Sequence, residues 1–183
     1  MAESSLARAW EWVTHRPLHL TGLRIYDQLS RRITGAPLQR YSQITPQLHI
    51  GGQHDARGMK AMQERGVTAV VNLRRKHDDA RAGAAPEAYL HLPVPDNTAP
   101  TQEQLREGVD FITQQIEAGG AVYVHCGVGV GRASTLAAAY LVNTGLTPAE
   151  AWAKIRSVRP FIWPNRRQRA SITRFAESPI TSP

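Results

Sequence analysis

A single cysteine, Cys126, is all the thiol that the 183 residues carry. One cysteine excludes an intramolecular disulfide framework and any multi-thiolate zinc site, so its own reactivity is what needs explaining. Long apolar runs are missing too: the longest, Leu136 to Val142, falls far short of a bilayer span. Acidic residues are outnumbered, 15 against 22 lysines and arginines, which leaves a formal charge of +7. Such a field concentrates anionic partners such as phosphate esters, nucleic acids or acidic lipids, although a solvated basic surface accounts for it equally well. No internal repeat or low-complexity tract is present. The N-terminus carries Glu3 early and lacks the basic and then apolar pattern of a secretory signal, so a cytoplasmic chain is expected. No set of histidines, cysteines and carboxylates shows ligand spacing, so neither a metal nor another cofactor is expected.

What is present divides at about residue 40. Residues 1–40 hold two amphipathic segments, Leu6 to Val13 and Thr21 to Ile33, separated by Arg16-Pro17 and closed by Gly35-Ala36-Pro37. Ile25, Leu29 and Ile33 lie four apart and share one helical face. This reads as a helical extension, with residues 41–183 as the main domain. From Ser42 strand and helix signals alternate. Strands are expected at Gln47 to Ile50, Val67 to Leu73, Tyr89 to Val94 and Ala121 to His125, the last short, apolar and central. Helices are expected at Asp55 to Arg65, after the capping box of Thr101 and Gln104, over Ala133 to Asn143, after a second capping box of Thr147 and Glu150, and over Arg166 to Ala176. That alternation predicts an α/β sandwich around a largely parallel sheet.

The chemistry lies between the strand ending at His125 and the helix beginning near Arg132. There the chain reads Cys126-Gly127-Val128-Gly129-Val130-Gly131-Arg132. Alternate glycines let backbone N–H groups turn inward around an anion, and the following helix adds the positive end of its dipole. Arg132 can offer two parallel N–H donors to phosphoryl oxygens, which a lysine cannot. A cysteine in such a positive setting is populated as the nucleophilic thiolate. A cysteine six residues before an arginine is by itself weak evidence, and a buried structural cysteine on a glycine turn is the bland alternative. The strand before it, the glycines within and the helix after it make the pattern specific.

The run Val122 to Arg132 resembles the His-Cys-five-residues-Arg signature of the protein tyrosine and dual-specificity phosphatases, and the resemblance extends over roughly Tyr41 to Phe175. Ile44 to Gly52 is similar to the opening strand of the dual-specificity group. Pro93 to Leu105, with Gly108 to Phe111, resembles the acid-loop region of the phosphatidylglycerophosphate phosphatase subgroup. The resemblance implies the dual-specificity-phosphatase sandwich, with Cys126 as nucleophile, Arg132 as phosphate clamp and the amides of Gly127, Val128, Gly129, Val130 and Gly131 as oxyanion binders. A departing alkoxide or phenolate needs a proton. Asp96, thirty residues before the nucleophile in Val94-Pro95-Asp96-Asn97, stands where the family places its acid loop; a turn-forming aspartate is the alternative, and Asp78 and Asp79 are weaker competitors. His125 is expected to be buried against the loop and to shape it by hydrogen bonding, a neutral core histidine being equally consistent. Arg159 to Asn165, with Gln168, resembles the late segment packing beside the phosphate loop, although Asn165 is equally readable as a helix cap. One departure stands out. The family usually places serine or threonine after the arginine to assist departure of the thiolate, whereas this chain has Ala133, as do the phosphatases of regenerating liver. Ser134, one residue on, would point about a hundred degrees away on a helix. Slow hydrolysis of a phosphocysteine intermediate is therefore expected.

The loop interior carries no lysine or second arginine, so a substrate with one phosphate at the site is expected: a phosphorylated protein side chain or the terminal monoester of a phospholipid. Phosphate, sulfate or vanadate should occupy the same loop. Trp10, Trp12, His15, Arg16, Arg24, Arg31 and Arg32 allow peripheral contact with an anionic membrane. Packing of Trp10, Trp12, Leu18, Leu20 and the Ile25 stripe onto the domain is the preferred expectation. A protein that binds phosphate and turns over too slowly to matter, an adaptor, is a further reading. Nucleic acid has little support, because the basic run Arg166-Arg167-Gln168-Arg169 lacks interleaved aromatics or a binding motif.

Overall fold

The structure, a computed structural model, describes residues 17–177. Its element order is α1 (Leu18–Thr34), a 3-10 turn (Gln39–Tyr41), β1 (Leu48–Gly51), α2 (Ala56–Gln63), β2 (Val67–Arg74) and β3 (Ala88–Val94), then α3 (Gln102–Glu117), β4 (Ala121–His125), α4 (Arg132–Asn143), α5 (Pro148–Val158) and α6 (Arg166–Glu177). The expected segment Leu6 to Val13 lies outside the described residues. The four strands form one sheet in the order β1-β4-β2-β3, every pairing parallel. Parallel neighbours need crossovers, and helices placed on both faces supply them.

Side-chain alternation along the strands feeds two cores. Ala69, Val71 and Leu73 of β2 and Val122 and Val124 of β4 face the larger one, shared with Leu105, Val109, Leu136, Ile155, Ile172 and Phe175 from α3 to α6. Val67, Val70 and Tyr123 face the opposite side, where Met59 and Met62 of α2 cover them. A β4 buried along its whole length between β1 and β2 follows from the β-branched run Val122-Tyr123-Val124. Both capping boxes form as their sequences require, Thr101 with Gln104 and Thr147 with Glu150. β4 ends at His125, in register with Gly51 at the end of β1 and with Asn72 in β2. The residues after it therefore emerge at the carboxyl edge of the sheet, flanked by the ends of two neighbouring strands.

One expectation is overturned in α1. The Ile25 stripe does not pack on the domain: Leu18, Ile25, Leu29 and Ile33 are all more than half exposed. The face turned inward carries Asp27, fully buried, with Leu23 packed against the small cluster of Tyr41, Phe161 and Val130. The physical reason is polar. Asp27 faces the buried Arg159 and Arg31 reaches the backbone of Gln53, and these two contacts fix which side of α1 faces in.

Candidate active site

The loop from Cys126 to Arg132 closes around its own amides. Cys126 is buried, and its Sγ accepts the Gly129 N–H at 3.3 Å. Gly129 has φ +73°, and a Cβ there would lie 2.3 Å from the Gly51 carbonyl oxygen, so the tight turn requires glycine. Gly127 is under no such constraint, since an added Cβ would meet only Arg132 Nη2 at 3.9 Å. The loop is tied to its surroundings at both edges: Gln53 N–H donates to the Gly127 carbonyl at 3.2 Å and Trp163 N–H to the Val130 carbonyl at 2.7 Å.

Arg132 begins α4 and is buried beneath the loop. Its Nη1 donates to the carbonyls of Leu73 at 3.1 Å and Val94 at 2.7 Å, the ends of β2 and β3. Two strand ends thus fix the guanidinium plane, and Nη2 turns toward the mouth, where it meets Asp96 Oδ1 at 2.5 Å. Asp96 itself is open to solvent, its side chain 81% exposed. The carboxylate therefore sits in solvent beside the same guanidinium that could grip phosphoryl oxygens.

Asn165 and Gln168 hold the segment that carries Asp96. They cap α6 reciprocally, Asn165 N–H to Gln168 Oε1 and Gln168 N–H to Asn165 Oδ1, each at 2.9 Å. Their remaining amide hydrogens reach across to the carbonyls of Asn97 at 2.8 Å and Thr98 at 2.9 Å. Gln168 also abuts Gly131, where a Cβ would come within 3.0 Å of its Oε1. Asn165 caps α6, one of the two readings its sequence allowed, and also reaches the segment that carries Asp96. Ser134 is buried, its hydroxyl directed to the Gly129 carbonyl at 3.4 Å, behind the loop.

His125 is fully buried, with Nδ1 3.3 Å from the Cys126 carbonyl and Nε2 2.6 Å from Asp79 Oδ2. Burial pushes the Asp79 carboxyl up, and hydrogen bonds from His125 and Gln53 with the His125 charge outweigh it, leaving the group below its usual range. Asp79 is consumed by this pair, and Asp78 accepts from the Tyr89 hydroxyl at 3.0 Å, so neither meets Arg132 as Asp96 does. Among the described residues, His54, Asp79 and His125 form the one grouping with ligand atoms close enough to hold a metal. His125 and Asp79 already satisfy one another there, and the arrangement braces the strand end beneath Cys126.

Sequence reasoning placed the segment that starts at Arg159 beside the loop but missed what Arg159 does there and its pairing with Asp27. Arg159, fully buried, donates Nε to the Gly129 carbonyl at 2.9 Å and Nη2 to the Val128 carbonyl at 3.0 Å. It also reaches the Tyr41 carbonyl and the Asp27 carboxylate, both at 2.9 Å. The inward amides of the loop leave its carbonyls pointing outward, and Arg159 satisfies two of them. A signal existed: Asp27 is the lone acid in α1, opposite the Ile25 stripe.

A family model described as "Polymorphic toxin system, DSP-PTPase phosphatase" matches residues 49–146 of the chain. Human dual specificity protein phosphatase 1 is 30% identical over 161 residues, which cover 87% of this chain and 40% of that protein. Human dual specificity protein phosphatase 5 is 32% identical over 145 residues, covering 76% and 34% respectively. The chain thus spans well under half the length of these curated relatives. Among solved structures, Tk-PTP in its active form superposes with a TM-score of 0.68 at 27% identity, covering 75% of this chain and 96% of that one. PTPMT1 superposes with a TM-score of 0.65 at 24% identity, covering 75% and 94%, a likeness of fold. With more than half of its length inside the family model and the loop of Cys126 and Arg132 at the sheet edge, the chain belongs to the DSP-PTPase family of cysteine-dependent phosphatases.

Proposed function

We propose that this chain is a phosphomonoester hydrolase that works through a phosphocysteine intermediate, with phosphorylated protein side chains as its main substrates. The observation that carries the reading is a pair of contacts at the two ends of one glycine loop: the Cys126 sulfur on the Gly129 amide, and the Arg132 guanidinium on the Asp96 carboxylate. In the first step the thiolate attacks phosphorus as the P–O bond to the leaving group breaks, and Asp96 delivers a proton to the departing oxygen. The amides of residues 127–131 and Arg132 stabilise charge on the equatorial oxygens. In the second step water attacks the phosphocysteine, Asp96 takes its proton, and inorganic phosphate leaves as the thiolate is restored. No hydroxyl at position 133 assists that departure, and Ser134 is engaged behind the loop.

The protein substrate class is favoured by the dual specificity protein phosphatases among the relatives and by an uncharged loop interior suited to one phosphate. A lipid phosphomonoester, phosphatidylglycerophosphate or a phosphoinositide, is the second reading. It is favoured by the exposed apolar face of α1 and by the fold shared with PTPMT1, which has been solved in complex with PI(5)P. A slow-turnover phosphate-binding adaptor is the third, resting on Ala133. Phosphate, sulfate and vanadate would bind in the loop under each. No described helix is long and apolar enough to cross a membrane.

A rate panel tests the proposal: p-nitrophenyl phosphate, phosphotyrosine and phosphothreonine peptides, phosphatidylglycerophosphate and a phosphoinositide, each with Cys126→Ser as control. Vanadate-sensitive and chelator-resistant turnover, absent from Cys126→Ser and fastest on a peptide, is the expected outcome. Wild-type turnover no better than Cys126→Ser on every substrate overturns the reading. Covalent labelling without steady-state turnover would favour the adaptor.

A further inference from the structure

α1 is two-faced, and only its inner face is accounted for by the fold. Leu18, Ile25, Tyr26, Leu29 and Ile33 are between 51% and 81% exposed, and they are all of the large apolar side chains exposed among the described residues. At 100° per residue they fall on one side of the helix, with Gly22 among them. Isolated exposed leucines are ordinary; five bulky side chains gathered on one helix mark a contact surface. The charge around the stripe is of one sign. Arg32 flanks it in solvent, and the lone acid of the helix, Asp27, is buried on the opposite side.

We propose that the outer face of α1 seats this domain on an anionic lipid surface. An apolar stripe with a cationic border and no exposed carboxylate is the composition of a helix lying in the plane of a bilayer interface. A second copy fits less well, because face-to-face pairing brings two Arg32 borders together between molecules that each carry +7. The sixteen residues before Pro17 add Trp10 and Trp12, with Arg8 and Arg16 balanced by Glu3 and Glu11. The inner face of the same helix holds the loop through Asp27 and Arg159, so a seated α1 keeps the loop about one helix diameter from the surface. Only the inference that substrate is met at that surface rests on the phosphatase reading; the seating itself does not.

Sucrose-loaded vesicles of phosphatidylcholine, with and without phosphatidylglycerol, test this on the full 183-residue chain by co-sedimentation. The wild type should pellet with the anionic vesicles, about tenfold more strongly than with phosphatidylcholine alone and less so in high salt. Ile25→Asp/Leu29→Asp should lose about tenfold or more of that binding while keeping the thermal midpoint and the p-nitrophenyl phosphate rate of the wild type. Should that variant lose its midpoint, Leu18→Ser/Ile33→Ser on the same face makes the comparison. A wild type that stays in the supernatant overturns the proposal, as residues 1–16 covering the stripe would make it do. So does a folded variant that binds as well as the wild type, or a wild-type dimer in gel filtration that the variant dissolves. Normal vesicle binding by a chain that hydrolyses no phosphomonoester would instead sink the phosphatase reading and leave the seating intact.

Discussion

The roles proposed for Asp96 as acid and Cys126 as nucleophile are separable at the level of single side chains. A general acid matters most when the leaving oxygen is basic. Asp96→Asn is therefore expected to slow hydrolysis of an alkyl phosphomonoester by about a hundredfold or more, and that of p-nitrophenyl phosphate far less. Equal losses on both would remove the acid role, a comparison that leaving-group rate series make directly. Ala133→Ser places a hydroxyl where the thiolate departs, and turnover should rise while the burst of first-step product stays the same; no gain would count against a slow second step. The glycines of the loop also differ in kind at this scale. Gly129 is fixed by its positive φ and by the Gly51 carbonyl, whereas Gly127 is open to a small side chain.

At the level of elements, the loop is held from behind by a helix that the sequence read as an extension. The buried pair of Asp27 in α1 and Arg159 after α5 links α1 to the carbonyls of Val128 and Gly129. Breaking a buried pair from one side leaves a guanidinium uncompensated and costs about 3 kcal/mol. Asp27→Asn should lower the urea midpoint accordingly and weaken vanadate inhibition, because the loop carbonyls lose a fixed support. Unchanged vanadate affinity in a destabilised variant would reduce Asp27 to a structural role. The strands and capping boxes were legible in the sequence because both are local: β-branched runs and paired Thr and Gln or Glu act within a few residues. The inward face of α1 was not. Hydrophobic periodicity pointed to the Ile25 stripe, and a single buried carboxylate with a partner 132 positions away decided otherwise.

For the molecule as a whole, acid sensitivity follows from what lies under the sheet edge. Burial, with the neighbouring His125, pushes His54 from 6.5 down to about 4. Below pH 6.5 the unfolded chain takes up a proton that the folded one refuses, so this contribution to stability is complete above that pH and shrinks as pH falls toward about 4. The slope reaches at most about 1.4 kcal/mol per pH unit. Urea midpoints of the wild type should therefore fall between pH 7 and pH 5, and His54→Gln should fall less; parallel profiles would show that His54 is not the group responsible.

By itself the sequence determined the alternation of strand and helix, the glycine-rich turn after His125 and the placing of Cys126 and Arg132 at its two ends, since each depends on neighbours along the chain. The sequence singled out Asp96 through a family resemblance alone; the tertiary structure decided that Asp96 meets Arg132, that Asp79 vanishes beneath His125, and which side of α1 meets water. Those outcomes rest on desolvation and pairing between residues far apart in the chain, and no local pattern carries that information.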